Sequence, residues 1–280
     1  MSPPRNRTVF LSDLHLGAIG SRPDLVLAFL RANPAATYVL AGDVLDLWQP
    51  LLPHWRTEDQ AVIDHLNRRQ AQGAALVWLR GNHDPDPARA PAHVRLNATP
   101  VARHVHTAAN GARYLVVHGD EADSRLVRAH VMTRLGSRID HALRRLDHGL
   151  RRLRRGTRGE ARGLVEGVLI TLNRLAYARR SHERRLVAMA RAEGLDGVIC
   201  GHFHIAGLNA DHGLLYANCG DWMDSFTGLV ERRDGALHLA GGRPAPAAAP
   251  VSLATPALGN VPSPGGPSPE PVPVLTMVRS

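Results

Sequence analysis

Lysine is missing from this chain. All 34 of its basic residues are arginine, so every basic position is a permanently charged fork suited to phosphate. Cysteine is nearly missing too: Cys200 and Cys219 lie far apart and in no C-x-x-C pattern. That argues against a disulfide scaffold or a thiolate zinc site and leaves them as small buried residues in a reducing compartment. Aromatics make up only 4% of the 280 residues, so a core has to rest on Leu, Val, Ala and Ile within the 44% that is hydrophobic. No apolar run reaches the roughly 18 residues of a membrane span. Met1 to Thr8 is short and polar, without secretory character. The expectation is a protein made and kept in the cytoplasm, with enough chain for one sizeable core or two small ones.

What is present is unevenly spread. The formal charge is +9, but residues 1 to 120 carry 12 Arg against 10 acids, 121 to 195 carry 18 against 8, and 196 to 280 carry 4 against 7. The excess therefore sits in the middle third. There Ile139, Leu143, Leu146, Leu150 and Leu153 recur at steps of 4, 3, 4 and 3, with Arg144, Arg151, Arg155 and Arg158 on the other faces. This spacing predicts a basic amphipathic helix. Gly156 and Gly159 break it, and Leu164, Val168, Leu172 and Leu175 mark a second. We read 121–195 as a helical, Arg-rich lid inserted into a catalytic domain of 1–120 and 196–240. A solvated helical pair is the bland alternative. From 241 to 280 the chain carries 10 of its 20 Pro with much Ala, Ser and Gly, which predicts a disordered tail.

The informative residues stand at the ends of strand-like runs. Val9-Phe10-Leu11 empties into Ser12-Asp13-Leu14-His15-Leu16-Gly17, where Asp13 and His15 can chelate one ion from a single turn. After a helix over 24–31, Thr37 to Leu40 leads to Gly42-Asp43-Val44-Leu45-Asp46-Leu47-Trp48. A Gly before Asp43 allows close backbone approach, so that carboxylate can bridge two cations. A helix over 57–72, with Ala61, Ile63, Leu66 and Ala71 facing the core and Gly73 as its stop, precedes Ala75 to Leu79 and then Gly81-Asn82-His83-Asp84. Asn82 offers a neutral oxygen, and His83 could instead face a substrate.

Val101 to His106 and Arg113 to Val117 flank Asn110-Gly111 as a hairpin, and the second arm ends in His118-Gly119-Asp120. Gly197-Val198-Ile199-Cys200 ends in Gly201-His202-Phe203-His204, and Asp211-His212-Gly213 and Asp234-Gly235 are turns of later, partly antiparallel strands. Between them stands Asn218-Cys219-Gly220-Asp221-Trp222. Asp221 and Trp222, with Asp120, are candidates for the substrate mouth; a structural turn and a core ring are the equal alternative for Asp221 and Trp222. Strands alternating with helices, and ligands gathered at the carboxyl ends, make this an α/β fold.

Collected, Asp13, His15, Asp43, Asn82, His118, His202 and His204 are seven ligands, about what two metals sharing one carboxylate and a water need. The mixed set favours Mn(II), Fe(II) or Zn(II) over Ca(II). Phosphoryl transfer at such a pair needs no nucleophilic Ser or Cys.

In that order the motifs resemble the calcineurin-like metallophosphoesterases from Val9 to about Leu239. The resemblance implies a four-layer αββα sandwich. It also implies one metal on Asp13, His15, Asp43 and His204 and another on Asp43, Asn82, His118 and His202. His83 would face the substrate phosphate, with Asp46 orienting its ring. More narrowly, the strand-end motifs and the helical insert are similar to the UDP-2,3-diacylglucosamine pyrophosphatases of lipid A synthesis. This implies a lipid-linked pyrophosphate substrate, release of UMP, Mn(II), and an anionic inner-membrane surface met peripherally by the Arg-rich lid. Some members of that family have Arg where this chain has His83. Phe203 replaces a polar residue usual there, which is expected to make the site floor more apolar.

Two other readings compete. One is a broad-specificity phosphomonoesterase or phosphodiesterase acting on nucleotides or phospholipids. The other is a non-catalytic scaffold that binds membrane or nucleic acid. The intact ligand set argues against a scaffold, and few aromatics interleave with the Arg residues, which argues against nucleic acid.

Overall fold

Alternation along each strand decides which layer its side chains join. In the strand Asn6–Leu11 (β1), Val9 and Leu11 face one way and Phe10 the other, and Ala35–Ala41 (β2) divides Tyr38 and Leu40 from Val39 and Ala41 in the same manner. The structure, a computed structural model, describes residues 5–46, 54–85, 91–122, 171 and 180–242. All of them lie in the compact unit Met1–Ala249.

The first sheet continues with Ala75–Leu79 (β3), and β1, β2 and β3 are parallel. Over its outer face lie the helices Pro23–Ala32 (α1) and Thr57–Ala71 (α2). Helix α1 starts with proline in its first turn and buries Val26, Leu27, Phe29 and Leu30. In α2 the buried face is Val62, Ile63 and Leu66, while the expected Ala71 is exposed at the last position.

The second sheet contains His104–Thr107 (β4), Arg113–Val116 (β5), Gly197–Cys200 (β6), Gly207–Asn209 (β7) and Leu215–Asn218 (β8), in the order β4-β5-β6-β8-β7. Thr227–Glu231 (β9) and Leu237–Gly241 (β10) return to the first sheet, giving the order β10-β9-β1-β2-β3. Phe10, Val39, Val116, Ile199, Ala217 and Leu229 meet between the sheets. Outside the second sheet, Leu115, Val198 and Cys200 pack on Leu186, Val187 and Ala190 of the helix Ser181–Ala192 (α3). The architecture is thus two mixed sheets with flanking helices, an α/β fold in four layers.

Three local expectations shift. The first hairpin arm begins at His104, because Val101 instead pairs with Leu79 along the edge of β3, with Val101 N–H donating to the Trp78 carbonyl at 2.9 Å. Gly241 ends β10 and so belongs to the sheet, not to the tail. Within 121–195, residues 181–192 form α3 against the second sheet. Apart from Thr171, the predicted helices around Ile139 to Leu153 and Leu164 to Leu175 lie outside the described residues, as do Trp48 and the tail from 243.

Candidate metal centre

The parallel strands β1, β2 and β3 of one sheet and β5, β6 and β8 of the other end on a common edge. There the loops bond to one another. Asp13 N–H donates to the Gly42 carbonyl, His15 N–H to Asp43, Gly201 N–H to His118, and Trp222 N–H to Asp13. The price of this convergence is backbone strain. Asp13, His15, Asp43, His202 and His204 all have positive φ, between 46° and 69°. Each such non-glycine residue costs on the order of 1–3 kcal/mol and persists only where its surroundings fix it. Gly42 (φ 92°) is required, since a Cβ there would strike the His118 ring. At Gly81 a Cβ would overlap Asp43.

Each central carboxylate has one oxygen fixed and one aimed inward. Asp13 Oδ2 accepts from the His202 N–H at 2.8 Å and from the Ser12 hydroxyl; Oδ1 is buried with no hydrogen-bond partner among the described residues, 3.3 Å from His204 Nε2 and 3.8 Å from His15 Nε2. Asp43 Oδ1 accepts from the His83 N–H at 2.7 Å, while Oδ2 lies 3.2 Å from His118 Nε2 and 4.0 Å from His15 Nε2. Asp43 therefore stands between the His118 side and the His15 side. His118 Nδ1–H donates to the Ala41 carbonyl at 2.9 Å, which turns Nε2 toward Asp43 and toward Asn82 Oδ1 at 3.1 Å. The rings of His118 and His202 meet at 5.0 Å between centroids. Asp46 Oδ2 is shared, 3.4 Å from His15 Nδ1 and 3.3 Å from His83 Nδ1.

The electrostatics demand cations. Burial opposes ionisation of Asp13 and Asp43, yet His204 and His15 beside the first and His118 beside the second hold both carboxyls well below the usual range. Burial likewise lowers the affinity of the imidazoles for protons, but their carboxylate neighbours win. His118 is pushed up to about 10 by Asp43, and His204 to about 9 by Asp13 and Asp221.

The orphaned Asp13 Oδ1 and His15 Nε2 fit divalent metal. Among the described residues, candidate groups with ligand atoms within 4.8 Å of one another are Asp13, His15 and His204; Asp43, His118 and His202; His15, Asp46 and His83; and His204, Asp221 and Asp224. Adjacent bonds of about 2.1 Å to one cation put donor atoms about 3–3.4 Å apart, a spacing met by Asp13 Oδ1 and His204 Nε2 at 3.3 Å and by Asp43 Oδ2 and His118 Nε2 at 3.2 Å.

A model of the calcineurin-like phosphoesterase family matches residues 7–206. The chain belongs to that family. No curated protein matches it. Among solved structures, this phosphoesterase is similar to Yfce, a phosphoesterase from E. coli, at 13% identity over 84% of this chain and 99% of that one, with a TM-score of 0.41. It is also similar to an archaeal phosphodiesterase (11%, 84% and 98%, TM-score 0.42) and to a dimetal phosphatase from Danio rerio (14%, 86% and 100%, TM-score 0.38).

The remaining candidates fall elsewhere. Trp222 is 1% exposed and packs edge-on against Phe29 in the core under α1, so it lines no mouth. Asp221 is fully buried: its Oδ1 accepts from the backbone N–H of Met223 and Asp224 and lies 4.0 Å from His204 Nδ1. It is a turn-former behind a ring. Asp120 begins a single turn, Asp120–Ala122, partly exposed beside His118. Phe203 points away from the site, into the cluster under α3, and does not form its floor.

Three residues have roles that their types alone do not announce. Ser12 fixes Asp13, Asn218 Nδ2–H donates to the Gly201 carbonyl at 2.9 Å, and Asp84 accepts from both Leu45 N–H and Gly81 N–H at 2.8 Å. The only signal is their place inside the strand-end motifs.

Proposed function

We propose that this phosphoesterase is a dinuclear metal-dependent hydrolase that cleaves the pyrophosphate of UDP-2,3-diacylglucosamine, or a similar lipid-linked pyrophosphate, to UMP and a lipid phosphate. The observation that carries the reaction class is Asp43, whose Oδ2 lies 3.2 Å from His118 Nε2 on one side and 4.0 Å from His15 Nε2 on the other. Asp13, His15, Asp43 and His204 would hold one ion, and Asp43, Asn82, His118 and His202 the other, with Mn(II) the proposed metal. When bound, the pair supplies Lewis acidity and a nucleophilic water at neutral pH.

The chain's own residues do the rest. His83, 17% exposed, keeps Nδ1 3.3 Å from Asp46 Oδ2, a contact that fixes the plane of its ring. Its role is to hold a proton toward the leaving phosphate oxygen, a contribution of about 10²–10⁴-fold for general acids. Arginine forks in 121–195 would meet pyrophosphate and anionic headgroups. The substrate rests on the narrower motif resemblance.

The test is UMP release from UDP-2,3-diacylglucosamine by Mn(II)-loaded protein. Release of UMP, with His83→Asn slower by about 10²–10⁴-fold at unchanged metal content, is expected. No UMP, alongside good hydrolysis of a simple phosphodiester, would refute the substrate and leave the reaction class.

A further inference from the structure

We infer that Phe203 and His182 are positioning residues: a two-ring anchor by which α3 holds the paired imidazoles of His202 and His204 in place. The inference rests on the dinuclear reading above. Phe203 stands between two residues with left-handed backbone, His202 (φ 69°) and His204 (φ 56°). Such a loop relaxes unless something outside it fixes its course. Its middle side chain is fixed. Phe203 is 1% exposed and packs among Leu186, Val187, Val198 and Tyr216, on the face of the second sheet opposite the interior of the sandwich.

His182, 4% exposed in the first turn of α3, lies over the Phe203 ring at 4.2 Å between centroids and 37° between planes. Phe203 also meets the His202 ring at 5.0 Å, and His202 meets His118 at 5.0 Å. A continuous series of ring contacts thus runs from α3 to a candidate ligand of the metal pair. The start of α3 is itself pinned. Arg180, in left-handed conformation before the helix, donates to Glu183 at 2.8 and 2.6 Å and to Asp211 at 2.7 Å in the turn between β7 and β8. His182 is therefore seated on Phe203 by neighbours on both sides.

The consequence concerns metal affinity. Loosening the anchor lets the loop relax and misplaces both imidazoles, without removing any ligand. Groups that orient ligands typically contribute 10–100-fold to metal affinity.

The test is Mn(II) binding by isothermal titration, with electron paramagnetic resonance of the loaded pair, on the full chain. Phe203→Ala and His182→Ala should each weaken Mn(II) binding by about 10–100-fold and diminish the exchange-coupled signal. His182→Phe, which keeps an aromatic ring on Phe203, should restore both. If the wild type binds two ions and the alanine variants bind them as tightly, melting at lower temperature only, the anchor is merely structural and the inference fails. A wild type that binds no pair would instead fail the dinuclear reading. Should Phe203→Ala not fold, the contrast between His182→Ala and His182→Phe still decides.

Discussion

His118 is 2% exposed and has acceptors at both ring nitrogens, Ala41 O on one side and Asn82 and Asp43 oxygens on the other. Only an imidazolium, or an imidazole facing a cation, satisfies such surroundings. In the metal-free protein the raised affinities of His118 (to about 10) and His204 (to about 9) stabilise the fold in full below their ordinary value near 6.5. That contribution is lost as pH rises through 9 to 10. The lowered carboxyls Asp13 and Asp43 act in the opposite direction, stabilising above about pH 4 and ceasing to do so as pH falls. A divalent ion has to displace the imidazolium protons. Mn(II) affinity should therefore rise between pH 7 and 9.5, with protons released on binding, as titration in two buffers of different ionisation enthalpy would read. Affinity flat over that range would contradict the assignment. The types and spacings of these residues are legible in the sequence, because Asp-x-His and His-x-His close on strand ends. The five positive φ angles and the service of Ser12 to Asp13 are not, since both depend on which neighbouring loop arrives.

At the scale of elements, loops rather than strands carry the centre, and Asp84 shows how they are joined. Its carboxylate, 0% exposed, ties Leu45 N–H after β2 to Gly81 N–H after β3. Burial and the charge of Asp43 push this group up to about 6 even so. Asp84→Ala leaves two buried N–H donors without a partner. It should lower stability by about 1–3 kcal/mol for each, measured by denaturant unfolding of the metal-free protein. A variant within about 0.5 kcal/mol of wild type, the range of an ordinary surface change, would show that water replaces the clamp. The strands themselves were readable from apolar runs bounded by Gly and Asp. Helix α3 was harder, because its apolar positions Leu186, Val187 and Ala190 are set among arginines that equally suit an exposed insert.

At the scale of the whole molecule, two sheets are needed because neither supplies the whole set of donors. Asp13, His15, Asp43 and Asn82 follow strands of the first, and His118, His202 and His204 follow strands of the second. At the hairpin of β4 and β5 the layers are joined again by Glu231 of β9, whose buried carboxylate meets His106 Nε2 at 2.9 Å and accepts from Ala109 N–H at 2.8 Å. Local pattern gives the alternation that fills both faces of each sheet. It does not say that β9 and β10 return to the first sheet, since a turn such as Asp234-Gly235 fixes a hairpin and not its partner. The claim on which all of this depends is a shared carboxylate between two ions. It is tested most directly by counting Mn(II) bound per chain, in wild type and in Asp43→Ala, at one free Mn(II) concentration. The account predicts two ions for the wild type and less than one for the variant. One ion or none in the wild type, or two retained without Asp43, would contradict it.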